Sequence, residues 1–177
     1  VFGSAIHGAI ESKLRNDTPL LDGWKRAWDK QLESEINWQG KNKTELYNYG
    51  VKMLSHEDTI ATVESLTPAT IDDEPAIEKK IALQVPGVDV PVIGYIDLIQ
   101  GNMVPVDFKT SGKSWSASRA DNEMQATFYL AALNQAGLVS LPAQFEYIVF
   151  VKNKTPKIQR FITERTVEDV FKLFKTT

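Results

Sequence analysis

The stretch from Gly94 to Ser111 constrains this chain most, because it has the pattern of a β-hairpin whose apolar strands are interrupted by charge. Two runs rich in β-branched and aromatic residues flank Gly101-Asn102, a dipeptide typical of a hairpin turn. Asp97 lies in the first run, and Asp107 and Lys109 lie in the second. Charged side chains within a strand are costly unless they are paired, bind a metal or take part in chemistry.

The register of this hairpin decides which side chains share a face, because side chains alternate along a strand. A three-residue loop at 101–103 places Asp97 opposite Asp107. The other face is then wholly apolar and consists of Ile96, Leu98, Val106 and Phe108. A two-residue loop would place Asp97 among those apolar side chains. Since a one-residue slip exchanges the two faces, burial favours the three-residue loop.

In this register Asp97 and Asp107 form a pair of hard oxygen ligands of the kind that Mg²⁺ or Mn²⁺ prefers. Lys109 shares their face. A lysine beside a metal can orient or deprotonate water, or neutralise charge that develops on a phosphate. From the hairpin alone, a surface hairpin with a solvated salt bridge is an equally good interpretation.

Length and composition indicate a single domain over residues 1–177, with 42% hydrophobic and 24% charged residues. No apolar run approaches membrane-spanning length and no signal-peptide pattern opens the chain, so we expect no membrane partner. The chain has no cysteine, which excludes disulfides and thiolate metal sites from these residues. These features favour an intracellular, cytoplasmic location.

Charge is distributed unevenly along the chain, whose net charge is −3. Residues 1–108 hold 10 basic and 17 acidic side chains, whereas residues 109–177 hold 10 basic and 6 acidic ones. The basic part follows the hairpin directly, where a phosphate backbone could be engaged. The predicted DNA contacts are Lys113, Trp115, Arg119 and Lys152, with Trp115 stacking on a base. The alternative interpretation is that the stretch after Ser111 is an ordinary mobile loop.

The order of predicted elements is helices, three strands, a helix, two strands and a helix, which predicts an α/β domain with a mixed sheet and a central hairpin. The helical part covers about 1–66 and the core about 76–175. We predict a helix of about fifteen residues that is capped by Asp121 and packs through Met124, Phe128, Ala131 and Leu133. A polar connection is predicted between Thr67 and Pro75.

Three motifs carry a resemblance to a known family: Gly94-Tyr95-Ile96-Asp97, Val106-Asp107-Phe108-Lys109-Thr110-Ser111 and Gln125-Ala126-Thr127-Phe128-Tyr129. In order and spacing they resemble the PD-(D/E)XK nuclease superfamily, and more narrowly its RecB-type branch. The stretch Gly3-Ser4-Ala5-Ile6-His7-Gly8 is similar to the helix-borne histidine of that branch. The resemblance extends to about Val151. It implies a restriction-endonuclease-like core, with a mixed central β-sheet flanked by helices.

The resemblance implies a set of metal ligands. By position, Asp97 and Asp107 are the acidic ligands, His7 is a third ligand, and the backbone carbonyl of Phe108 is a fourth. The implied cofactor is Mg²⁺ or Mn²⁺. Several relatives hold an iron–sulfur cluster through four cysteines, so this chain is either a cluster-free member or one whose flanks have been removed.

The resemblance also implies catalytic and supporting residues. Lys109 is the catalytic lysine, and Gln125 and Tyr129 support the site and contact either the DNA backbone or that lysine. Glu78 matches an accessory glutamate on the strand before the hairpin.

The implied activity is that of a divalent-metal-dependent deoxyribonuclease, an exonuclease on single strands or DNA ends that serves recombination, repair, or phage or CRISPR DNA processing. DNA is the expected partner, together with a helicase or recombination protein. A structure-specific or restriction-type endonuclease on the same core is one alternative. A DNA-binding domain with a vestigial site is the other.

Overall fold

Helices and strands follow one another in an order close to that predicted from the hydrophobic pattern. A computed structural model describes residues 1–34, 36, 38 and 40–176. Within these residues the helices are α1 (Phe2–Asn16), α2 (Leu20–Leu32), α3 (Lys43–Ser55), α4 (Glu57–Glu64), α5 (Ala117–Asn122), α6 (Met124–Gln135) and α7 (Val167–Lys175). The strands are β1 (Thr70–Ile71), β2 (Glu74–Pro75), β3 (Ile77–Leu83), β4 (Val92–Ile99), β5 (Pro105–Ser111), β6 (Ala143–Val151) and β7 (Lys157–Arg165). None of the helices in the described ranges has the length and apolar content that crossing a bilayer requires.

The main sheet has five strands in the order β3-β4-β5-β6-β7, and β1 and β2 pair separately. Strand β4 is antiparallel to both β3 and β5. The predicted hairpin is therefore β4 and β5, and β5 is the central strand. This mixed five-stranded sheet confirms the predicted α/β, restriction-endonuclease-like fold class.

The turn between β4 and β5 is the predicted three-residue loop. The Gln100 N–H donates to the Val104 carbonyl at 3.1 Å, which closes the loop around residues 101–103. Met103 has a φ of 68°, and three-residue hairpin loops commonly end with such a left-handed residue. A left-handed backbone at a residue other than glycine costs on the order of 1 kcal/mol. The Asn102 side chain offsets part of this cost, since its Oδ1 accepts from the Val104 N–H at 3.0 Å.

The chain divides into two compact units, each made of segments that are distant in sequence. Unit 1 comprises Val1–Thr67, Lys109–Lys113 and Phe150–Ile158. Unit 2 comprises Pro68–Phe108, Ser114–Val149 and Gln159–Thr177, although Thr177 lies outside the described residues. The predicted helical part, about 1–66, lies within unit 1.

Unit 1 is packed around two tryptophans of α2. Trp24 is 0% and Trp28 is 3% exposed, with ring centres 5.3 Å apart. Gly50 of α3 lies so close that a Cβ there would come within 2.0 Å of the Trp24 ring. Glycine within a helix costs about 1 kcal/mol relative to alanine. The close approach of the indole ring explains why glycine stands there.

In unit 2, the sequence predicts a single helix that begins at Asp121. The structure instead has two helices, α5 and α6, which are separated at Glu123. Glu123 has an extended backbone, and Asp121 caps neither helix but accepts from the Thr163 hydroxyl at 2.8 Å. Arg165 is 4% exposed and donates to the carbonyls of Ala120 and Glu123 at 3.0 Å each. The last carbonyls of a helix have no intrahelical donors. The buried guanidinium of Arg165 donates hydrogen bonds to these carbonyls. It thereby stabilises the break between α5 and α6, which the local sequence does not predict.

Two other local predictions were wrong. Met124 is 55% exposed because it begins α6, so it lies outside the packing stripe that contains Ala131 and Leu133. The predicted polar connection before β3 contains the short β1–β2 hairpin. Its turn residues Asp72 and Asp73 have left-handed φ values of 54° and 65°, which aspartate tolerates better than most residues.

Candidate active site

Asp97 and Asp107 lie on the same face of the β4–β5 hairpin. Leu98 pairs with Val106, and alternation of side chains from that pair places Asp97 and Asp107, one residue further along each strand, on the same face. Asp107 is only 4% exposed, and Asp97 is partly buried. All four apolar side chains predicted for the other face are buried, namely Ile96, Leu98, Val106 and Phe108. The pairing and the burial confirm the register predicted from the alternation of side chains.

The Asp97 carboxylate is held against the backbone of β5. Its Oδ2 accepts a hydrogen bond from the Phe108 N–H at 2.8 Å. A bond of this kind is assisted by the charge of the carboxylate and orients the side chain. A carboxylate has about four lone-pair sites, more than this one hydrogen bond occupies.

Lys109 shares the face of Asp107, because the two residues lie two positions apart in β5. Their Cα atoms are therefore about 7 Å apart, the rise of two residues in an extended strand. The continuous strand thus sets the spacing of the acid and the amine.

Glu78 occupies a strained position in β3. Its φ is 48°, a left-handed value that residues other than glycine rarely adopt. Register places Glu78 opposite Asp97, since Ile77 pairs with Leu98 one step away, and its side chain is exposed. Strained backbone of this kind clusters at functional sites. The accessory role predicted for Glu78 remains a prediction.

Gln125 and Tyr129 lie on one face of α6, as their spacing of four residues predicts. The Gln125 Nε2 donates to the Tyr129 hydroxyl at 3.1 Å, and Tyr129 is 8% exposed. This contact fixes the amide of the glutamine relative to the phenol.

Gly94 allows α6 to lie against β4. A Cβ at this position would come 2.8 Å from Phe128 Cε1 and 3.0 Å from Tyr129 Cε1. Every other residue type would push one of these rings away. The glycine of the first motif is therefore explained by close packing rather than by backbone conformation.

We expect Gly94→Ala to lower the free energy of unfolding by about 1–3 kcal/mol, the usual cost of overpacking. Urea denaturation of the parent and the variant measures this difference. Gly112→Ala is the matched control, because a Cβ at Gly112 would meet no atom within 4 Å. Equal stability of the two variants would contradict the tight contact at Gly94.

Tyr147 of β6 is a site neighbour that the sequence analysis missed. It is fully buried, and its hydroxyl accepts from the Ala126 N–H in the first turn of α6 at 3.0 Å. Burial raises the pKa of the phenol, and the negative charge of Asp107 raises it further. Tyr147 therefore stays neutral and holds the helix start that carries Gln125. It lies in an apolar run, where nothing local distinguishes it from a core residue.

The predicted DNA contacts divide into exposed and buried side chains. Lys113 and Arg119 are exposed and Lys152 is partly buried. Trp115 is 6% exposed, and its ring centre lies 5.4 Å from that of Tyr147. The Arg119 guanidinium lies 4.2 Å from the centre of the Trp115 ring. Because both neighbours cover its ring, we assign Trp115 to the core rather than to a base-stacking surface.

His7 lies on α1, and it shares a helix face with Gly3, four residues earlier. Gly3 approaches β5 closely, since a Cβ there would come 3.0 Å from the Thr110 hydroxyl. Among the residues that the structure describes, no group of three or more histidine, aspartate or glutamate side chains is placed to hold a metal ion. The role of His7 as a metal ligand stays a prediction from the resemblance.

The donor chemistry of Asp97 and Asp107 fits a hard divalent cation. Mg²⁺ retains several waters and is commonly bound by only one or two carboxylates, so the pair is sufficient. The backbone carbonyl of Phe108, between Asp107 and Lys109, is a further oxygen donor of the same hard type.

A comparison with models of protein families identifies the family of the chain. The model of the PD-(D/E)XK nuclease superfamily matches residues 1–177. No curated protein matches the chain. The chain belongs to the PD-(D/E)XK nuclease superfamily.

Proposed function

We propose that this chain is a Mg²⁺- or Mn²⁺-dependent deoxyribonuclease of the RecB-type branch, acting as an exonuclease on single strands or DNA ends. Membership of the superfamily indicates a metal-dependent nuclease that acts on DNA. The observation that carries the proposal is the placement of Asp97 and Asp107 on one face of the hairpin. Lys109 follows on the same face of β5.

Each site residue has a role that its chemistry supports. Asp97 and Asp107 would hold the cation, together with the carbonyl of Phe108. When bound, the cation lowers the pKa of water and stabilises negative charge on the phosphate. Lys109 orients the attacking water, or donates to a phosphate oxygen as charge develops.

Gln125 and Tyr129 are proposed to position the DNA backbone. Their hydrogen bond leaves the Gln125 amide with one further donor and its carbonyl oxygen. Contacts to the backbone fix register without reading bases. We therefore propose little sequence specificity, and a helicase or recombination protein as the partner that would deliver strands.

Linear and circular single-stranded DNA of equal length distinguish an exonuclease from an endonuclease. With Mn²⁺, the proposed exonuclease degrades the linear strand and leaves the circle intact. Cleavage of the circle at a similar rate would contradict exonuclease action and support the endonuclease alternative. Cleavage of neither strand would support a vestigial, DNA-binding site.

His7→Ala should reduce nuclease activity strongly in limiting Mg²⁺, if the imidazole is a ligand as the resemblance implies. Loss of one ligand weakens cation binding, so raised Mn²⁺ should restore part of the rate. Initial rates across a Mn²⁺ titration measure this. His56→Ala is the control, because His56 caps α4 and has no proposed role in the site. Parental rates for His7→Ala in limiting Mg²⁺ would make His7 a packing residue.

A further inference from the structure

Two late segments of the chain bring concentrated positive charge into unit 1. Lys109–Lys113 and Phe150–Ile158 belong to this unit together with the N-terminal helices. These two segments carry five lysines and neither aspartate nor glutamate. The chain as a whole has 23 acidic and 20 basic residues, so its net charge of −3 conceals a local excess of positive charge.

The turn between β6 and β7 is fastened to α3 by side chains that donate to its backbone. The Tyr49 hydroxyl donates to the Asn153 carbonyl, and the Lys52 Nζ donates to the Lys154 carbonyl. Both acceptors are backbone atoms of residues whose side chains are exposed. The turn is therefore held in place while Lys154 points its ammonium group to solvent.

Further contacts link this turn to the end of β5. The Lys152 N–H donates to the Ser111 carbonyl at 2.8 Å, and the Ser111 hydroxyl donates to the Lys113 carbonyl at 2.6 Å. The Lys152 Nζ lies 5.1 Å from the centre of the Phe2 ring. Burial lowers the pKa of Lys152, and the positive charge of Lys41 lowers it further.

We propose that Lys52, Lys113, Lys152 and Lys154 form one lysine surface that binds the phosphate backbone of a single-stranded DNA substrate. This proposal rests on the nuclease function proposed above. Like charges held together repel one another in the free protein, and a polyanion relieves that repulsion. Phosphates bound there release condensed counterions, which supplies affinity without reading sequence.

The lysine surface begins next to the proposed catalytic lysine. Ser111 follows Lys109 by two residues in β5, which is about 7 Å in an extended strand. A strand whose scissile phosphate lies at Lys109 would therefore meet Lys113 and Lys152 with its adjoining nucleotides. Backbone hydrogen bonds already hold these segments, so binding requires less ordering than a mobile loop would.

The combined variant Lys52→Gln, Lys113→Gln and Lys154→Gln, which changes the three exposed lysines of this set, tests the lysine surface. Binding of a labelled oligothymidylate is followed by fluorescence anisotropy at several salt concentrations in EDTA, so that metal-dependent cleavage cannot interfere. Each lost phosphate contact should reduce the slope of log K against log salt by about 0.7, and three by about 2. At low salt the affinity should fall by at least about tenfold.

The matched control is the combined variant Lys25→Gln, Arg26→Gln and Lys30→Gln, which removes three exposed positive charges from α2. This control should keep the parental slope. An unchanged slope in the lysine-surface variant would overturn the proposal, as would an equal reduction in both variants, because that would indicate general charge alone.

Hydrolysis by the parent protein separates this proposal from the proposed function. Parental cleavage of DNA with Mn²⁺, combined with an unchanged salt slope in the lysine-surface variant, contradicts the lysine surface only. Salt-dependent binding that requires the three lysines, without any parental cleavage, contradicts the nuclease function only.

Discussion

Asp107→Asn is expected to reduce DNA hydrolysis by roughly a thousandfold or more. A bound cation contributes several kcal/mol of charge stabilisation to the transition state, and each loss of about 1.4 kcal/mol slows a reaction tenfold. Asparagine has nearly the same shape, so the buried position stays filled while one negative oxygen ligand is lost. Calorimetric titration with Mn²⁺ should show weakened binding in the variant.

Asp89→Asn is the matched control for this change. Asp89 is an exposed residue between β3 and β4, away from the hairpin pair in sequence, and its variant should hydrolyse DNA at the parental rate. Urea denaturation of both variants checks that the fold is kept. Unchanged Mn²⁺ affinity in Asp107→Asn would remove Asp107 from the metal site.

Lys109→Met is expected to lower the rate of DNA hydrolysis by about 10²–10⁴-fold, the range for loss of a general acid or base. Methionine keeps most of the apolar stem of lysine but lacks its ammonium group. Because the carboxylates are untouched, Mn²⁺ affinity should stay within a few-fold of the parent. Single-turnover kinetics with saturating protein measure the chemical step separately from binding.

Lys80→Met is the control for the loss of a lysine from the sheet, since Lys80 is exposed on β3 and has no proposed role. A parental single-turnover rate in Lys109→Met would contradict catalysis by Lys109. A loss of DNA affinity as large as the loss of rate would instead assign Lys109 to phosphate binding.

The hairpin was predictable from sequence because burial leaves only one acceptable register. Ile96, Leu98, Val106 and Phe108 must share a face, and the structure buries all four. A one-residue slip would expose these side chains to water, at a cost of several kcal/mol in lost apolar burial. The alternation of apolar and polar residues was therefore enough to predict that Asp97 and Asp107 share a face of the hairpin.

The features that sequence reasoning missed depend on contacts between distant residues. Arg165 fixes the break between α5 and α6 by bonding to carbonyls about forty positions earlier, at Ala120 and Glu123. Trp115 lies in a stretch of small polar residues, but Tyr147 covers its ring in the core. Neither pairing leaves a periodic signal, because each is made through the tertiary fold.

The roles of the site residues differ in how far packing supports them. Gly94, Gln125 and Tyr129 are tied together by close approach and by a hydrogen bond in unit 2. Glu78 lies opposite Asp97 on the neighbouring strand β3, and its backbone is strained. The metal-binding role of His7 is supported only by its resemblance to a motif, and the Mn²⁺ titration of His7→Ala tests it.

Digestion of end-labelled linear DNA tests the central claim most directly. The parent should release labelled nucleotides with Mn²⁺ or Mg²⁺ and none in EDTA, and Asp107→Asn should release none above background with either ion. Metal-dependent release that persists at the parental rate in Asp107→Asn, or no release by the parent with either ion, would contradict a nuclease site built on Asp97 and Asp107.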